Sequence, residues 1–301
     1  EVVTVPFSAA ALRGSLSKAL RWRGTWFEEP RPTAPAETAR AVGAWLVAGL
    51  LLALAAGGLF VLHRHRKAAA EAAVPAPATY WDLPYGHPAG LAYRDGELWV
   101  SDWFSATVHR HALPDMRLAA SATLPREVPG AMAFGGGALY VSGGPRVIVK
   151  RMLDERLSAL GRSDDQAPQT VAMAFDGLYL WTVDSKKGRL HKRVLDAELT
   201  VAKSYDYPGG KAVALAFDGR KLWSLDAKAG ELLRHDLRDP RSVLLRWPVR
   251  EYSSGEWTPV GLAFDGRRFY SAAVKRGGSA SEGRVFSHDL PDEVVAVLGK
   301  P

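Results

Sequence analysis

The chain has 301 residues, a formal net charge of +7 and no cysteine. Disulfides, thiolate metal sites, iron–sulfur clusters and covalently attached c-type haem are therefore excluded. Asparagine is absent too, which excludes N-glycosylation and removes a common amide ligand for metals.

Residues 1–40 form a basic tail. Ser8 is placed to cap a helix running to Trp22, with Leu12, Leu16 and Leu20 on one stripe and Arg13, Lys18 and Arg21 off it. Trp22, Trp26 and Phe27 follow. A basic amphipathic segment edged with aromatic residues suits an interfacial helix or a groove on a partner.

Residues 41–62 carry no charge, from Ala41 through Trp45, Leu50 and Leu54 to Leu62. At about 1.5 Å of rise per residue such a helix is about 33 Å long, enough to cross a hydrocarbon core of about 30 Å. Nothing polar interrupts the run, and 40 residues precede it, so it is predicted to be an uncleaved transmembrane helix and not a signal peptide. Its glycines and alanines, among them Gly43, Gly49, Gly57 and Gly58, allow close approach of partner helices.

Residues 63–78 follow as a collar and stalk. Arg64, Arg66 and Lys67, beside His63 and His65, suit lipid head groups, and Pro75 and Pro77 stiffen the Ala/Pro-rich stretch. The tail holds more positive charge than the other flank. That predicts a single-pass protein with the tail inside and the remainder outside, in the periplasm of a Gram-negative cell.

Residues 79–301 repeat themselves. Aromatic residues at 93, 134, 175, 217 and 264 are separated by 41, 41, 42 and 47 positions, and Trp99, Tyr140, Trp181, Trp223 and Tyr270 keep the same spacing. Each unit reads as strands: a buried Ala-Leu-Ala-Phe run, a turn at Asp176-Gly177, Asp218-Gly219 or Asp265-Gly266, a partner strand such as Leu222–Leu225, and two more strands such as Glu231–Leu237 and Val243–Trp247. Four antiparallel strands in about forty residues is the arithmetic of a propeller blade. The units resemble blades of the NHL and YncE-like propellers over residues 88–290, with Leu-Ala-Phe-Asp-Gly followed by Leu-Trp-x-x-Asp. The resemblance implies an all-β, five-bladed β-propeller, with a degenerate sixth blade as the alternative. The strand Thr79–Leu83 is expected to close the ring beside the last blade; the other candidate for that place is Val294–Val297.

Catalytic signals are sparse. Asp102, Asp184 and Asp226 end the second strand of three units, where each is expected to cap the next turn and not to bind a cation. His109 and His111 share a strand face and could grip one metal. Arg151, Arg193, His235 and His288 occupy the column of His111, which favours a basic preference on the blade surface. The insert Lys275–Gly283 of the fifth unit is a candidate binding loop, with a plain surface loop as the ordinary alternative. The repeats also resemble, loosely, lactonase-type propellers, whose cation site uses asparagine and so cannot be assembled here. Resemblance to glutaminyl cyclases offers a second enzyme option, without a matching set of acidic residues. No catalytic, cofactor-binding or metal residue is assigned, and no nucleic-acid partner is expected. The sequence favours an anchored, non-catalytic accessory subunit that stabilises a larger membrane assembly, of a respiratory or photosynthetic kind, with lipid and other subunits as partners. A membrane-tethered hydrolase, lyase or cyclase using the mouth of the ring is the alternative.

Overall fold

A computed structural model describes residues 79–165, 169–277 and 282–290. The tail, the apolar run 41–62 and the stalk lie outside the described residues, and with them every membrane and partner residue predicted above. Among the described residues no helix is long and apolar enough to cross a membrane.

Five four-stranded antiparallel sheets follow one another along the chain. The first blade comprises β2 (Pro88–Arg94), β3 (Glu97–Asp102), β4 (Thr107–Ala112) and β5 (Arg117–Thr123). The second comprises β6 (Met132–Gly135), β7 (Ala138–Ser142), β8 (Val147–Arg151) and β9 (Ala159–Asp164). The third comprises β10 (Thr170–Phe175), β11 (Tyr179–Asp184), β12 (Arg189–Val194) and β13 (Val201–Asp206), and the fourth β14 (Ala212–Phe217), β15 (Leu222–Asp226), β16 (Glu231–His235) and β17 (Val243–Pro248). The fifth has three local strands, β18 (Trp257–Phe264), β19 (Phe269–Lys275) and β20 (Gly283–His288). Its outer place is taken by β1 (Thr79–Asp82), which pairs with β20 from Thr79 opposite Ser287 to Asp82 opposite Arg284. The ring therefore has five blades and not six. The N-terminal strand closes it, as expected; the other candidate, Val294–Val297, lies outside the described residues.

One register recurs in every blade. Trp99, Tyr140, Trp181, Trp223 and Tyr270 lie opposite Ala92, Ala133, Ala174, Ala216 and Ala263 on the innermost strand. A bulky aromatic is accommodated because its cross-strand neighbour is small, and both bury against the next blade. The opposite faces carry Leu91, Met132, Met173, Leu215 and Leu262. The aromatic–alanine face of each blade thus packs on the Leu/Met face of the next, giving five apolar clusters around the ring. Near the axis the backbones nearly touch: a Cβ on Gly261 would lie 2.7 Å from Leu91 Cβ.

The Asp-Gly turns couple to the aromatic column. Asp218 Oδ1 accepts from the amides of Arg220 and Lys221, while its Oδ2 accepts from Trp223 Nε1 at 2.6 Å. Asp176 treats Trp181 the same way, at 2.7 Å. In the first blade Arg94 stands at the corresponding position, and the buried Trp99 Nε1 has no hydrogen-bond partner among the described residues.

Candidate functional site

The innermost strands all begin at one rim of the ring. The connections between blades and the turns joining second to third strands meet there. Each second strand ends at this rim, in Asp102, Asp184 or Asp226 in three of the blades. These carboxylates are consumed in holding turns: Asp102 Oδ1 accepts from the amides of Phe104 and Ser105, Asp184 Oδ1 from Lys186 and Lys187, and Asp226 Oδ1 from Lys228 and Ala229. Asp226 also accepts from Gly210 N at 2.5 Å. Asp184 Oδ2 is buried without a partner among the described residues. The expectation of turn caps holds.

Between the first three blades this rim opens into a cavity of about 470 Å³. Ala89, Pro129, Gly130, Ala131, Pro145 and Val171 give it apolar walls, with Ser142, Gln169 and Thr170 as polar points. Ala89 and Val171 sit where the innermost strands bulge, and the extra residue turns its side chain to the mouth. Lys186 is the titratable side chain in the lining.

Trp103, which lines the cavity, is 45 % exposed, its neighbour Phe104 is 71 % exposed, and Val128 opposite is 51 % exposed. The aromatic pair is held in place. His87 stacks on Phe104 at 4.7 Å and meets Trp103 edge-on at 5.1 Å, Trp103 N donates to His87 O, and Asp102 fixes the turn. Around the same rim Arg126, Arg146, Lys186, Lys187, Lys211 and Lys228 are exposed. Of the acids of these loops, Asp102, Glu127, Asp165, Asp184 and Asp226 are buried or nearly so, while Asp164 and Asp206 are exposed. Sequence inspection missed Trp103, Phe104, Val128 and Lys186. The available signal was the break in the repeat after Asp102, where Trp-Phe replaces Ser-Lys of the third unit and Ala-Lys of the fourth.

The basic column lies elsewhere and is buried, not on the blade surface as expected. His111 Nδ1 contacts Met116 O at 2.9 Å, so it carries the proton, and Nε2 accepts from Tyr85 OH at 2.7 Å. His235 donates to Pro240 O and accepts from Ser224, which is linked to Tyr207; His288 meets Ser271 and Tyr252 in the same way. Arginine takes carboxylate partners instead: Arg151 with Glu127, and Arg193 with Asp165 at 2.5 Å. Burial lowers the pKa of His235 and of His288 to about 4.

His109 and His111 do not form a metal grip. Their ring centroids are 6.5 Å apart, Tyr85 stacks on His109 at 4.0 Å, and His109 Nδ1 is bonded to Ser121. No cluster of three or more potential metal ligands occurs among the described residues. In the fifth-blade insert, Lys275 N donates to Glu282 O, and their side chains pair at 3.0 Å across its base. The predicted membrane residues Ala41, Trp45, Leu50, Leu54 and Leu62 lie outside the described residues. So do the interfacial or partner residues Leu12, Leu16, Leu20, Trp22, Trp26, Phe27, Arg64, Arg66 and Lys67.

No protein-family model and no curated protein matches this sequence. Among solved structures, the glutaminyl cyclase of Myxococcus xanthus is similar at 14 % identity and a TM-score of 0.54, over 71 % of this chain and 100 % of that one. Virginiamycin B lyase from Staphylococcus aureus is similar at 16 % identity and a TM-score of 0.42, over 68 % of each chain. Regucalcin from Agrobacterium tumefaciens is similar at 13 % identity and a TM-score of 0.44, over 69 % of this chain and 93 % of that one. At these identities the likeness is one of fold, the β-propeller.

Proposed function

We propose that this chain is a membrane-tethered docking platform, a non-catalytic accessory subunit that stabilises a larger membrane assembly. The uninterrupted apolar run 41–62 supports the tether. The observation that supports docking is the rim: a rigid aromatic pair, Trp103 and Phe104, stands exposed beside an apolar cavity in which Lys186 is the titratable lining residue. An enzyme working at this mouth needs a positioned acid and base. The acids that end the second strands are already engaged by backbone amides.

The test is extraction of the full chain from its native membrane in a mild detergent, followed by sizing and identification of what travels with it. A stoichiometric complex that loses its partner when Trp103 and Phe104 are replaced by alanine is the expected result. Migration of the wild-type chain as a lone monomer overturns the proposal, as does hydrolase, lyase or cyclase turnover by the isolated chain.

A further inference from the structure

The charge distribution at the mouth says more than that something docks there. Six cationic side chains are exposed on the rim loops of the second to fourth blades: Arg126 in the connection entering the second blade, Arg146 in its inner turn, Lys186 and Lys187 in the inner turn of the third, and Lys211 and Lys228 at the fourth. None of the six is ion-paired among the described residues. Other exposed basic residues do find carboxylates: Arg241 pairs with Asp239 in an outer turn, and Arg189, directly after the inner turn of the third blade, pairs with Asp206. Most carboxylates of the rim are turned inward, the exposed exceptions being Asp164, opposite Val147, and Asp206, opposite Arg189. Glu127 and Asp165 neutralise buried Arg151 and Arg193, and Asp102, Asp184 and Asp226 cap turns. Folding thus removes most of the negative charge of these loops from the surface and leaves an excess of positive charge in water.

An apolar cavity with exposed Trp103, Phe104 and Val128 at its edge sits within this positive field. We propose that the mouth binds an acidic segment of a partner protein, which inserts an apolar side chain into the cavity between the first three blades while its carboxylates face Arg146, Lys186, Lys187 and Lys228. The proposal rests on the docking role stated above and adds the chemistry of the occupant. A protein segment fits better than a nucleic acid or a lipid surface, because the cavity offers an open, largely apolar recess that can seat side chains beside a limited set of cations. Exposed Trp103 provides the aromatic anchor that such contacts favour.

The experiment uses the full chain in detergent micelles and fluorescence anisotropy of labelled probes. The probes are a Glu/Asp peptide of about a dozen residues with a central Phe-Leu pair, the same peptide with lysine replacing each acid, and a single-stranded DNA oligonucleotide of similar charge, alongside flotation on anionic phospholipid vesicles. The acidic peptide is expected to bind best, to weaken as salt is raised towards the screening length of about 8 Å, and to lose at least about tenfold in affinity in the K186E/K187E/K228E variant. Trp103→Ala is expected to lose a similar factor with little change in salt dependence. Equal binding of the lysine peptide, tighter binding of the oligonucleotide or an unchanged affinity in the triple variant overturns the proposal. So does flotation that depends on Lys186, Lys187 and Lys228 while the acidic peptide does not compete. A native complex that survives the triple variant unaltered defeats the acidic-segment proposal but keeps the docking role; a wild-type chain with no partner defeats the docking role itself.

Discussion

The guanidinium of Arg193 meets the carboxylate of Asp165 at 2.5 Å, and neither side chain is more than 2 % exposed. Arg193 also reaches Leu199 O at 3.1 Å, the carbonyl of a residue held at φ 52°. One side chain therefore fixes a strained turn and ties the connection entering its blade to the third strand. The same node recurs around the ring with its partners exchanged together: histidine faces a hydroxyl, arginine faces a carboxylate. Each pairing leaves the buried node with no net charge, which is the condition for burying ionisable groups without a large penalty.

This matching predicts coupled substitutions. Arg193→Met strands a buried carboxylate without its guanidinium and is expected to cost about 3–5 kcal/mol. Arg193→His alone is also strongly destabilising, whereas adding Asp165→Tyr recreates the pairing of His111 with Tyr85 and recovers at least about 1 kcal/mol. Chemical denaturation of the four chains of that cycle measures the coupling; strict additivity refutes the node.

The histidine nodes make stability depend on pH. His235 and His288 are buried neutral, with folded pKa values of about 4 against an unfolded value of 6.5. Glu251 lies 3.6 Å from His288 Nδ1 and would favour the charged form, but that is too far for a hydrogen bond and burial outweighs it. Between about pH 6.5 and about pH 4 the unfolded chain binds more protons, so stability falls as pH drops through that window and is fully present above it. Each histidine is expected to remove on the order of 3 kcal/mol across the window. Replacing His288 by glutamine should flatten the profile over the same range in an equilibrium unfolding series.

The aromatic column yields a differential test. Trp223→Phe deletes the bond to Asp218 and leaves a buried carboxylate oxygen short of a donor, at an expected cost of about 1–3 kcal/mol. Trp99→Phe removes an indole N–H that has no partner among the described residues, so its cost stays below about 1 kcal/mol beyond the packing loss common to both. Thermal unfolding midpoints that fall equally for the two variants would refute the role of Asp218.

The turn that presents the exposed aromatic pair carries strain. Ala106 sits at φ 53°, where the third and fourth blades place Gly188 and Gly230. Ala106→Gly is expected to stabilise the chain by about 0.5–1 kcal/mol, since relief of left-handed strain exceeds the entropy added to the unfolded chain. A lower melting temperature for this variant would contradict the assignment.

The sequence by itself determined the repeat, the strand count, the Asp-Gly turns and the closing strand Thr79–Asp82. Each of these is written in local chemistry: spacing, turn residues and the alternation of small and large side chains along one strand. Burial of the basic column was not legible, because whether His111 or Arg193 faces water depends on how the connection entering its blade, with Tyr85 or Asp165, folds across it. The mouth was equally hidden. Trp103, Val128 and Lys186 lie on three loops separated by dozens of residues, and only radial stacking brings them to one cavity while turning the neighbouring acids inward. A local pattern specifies each blade; the surface that several blades share is created by their packing, which no single stretch of sequence contains.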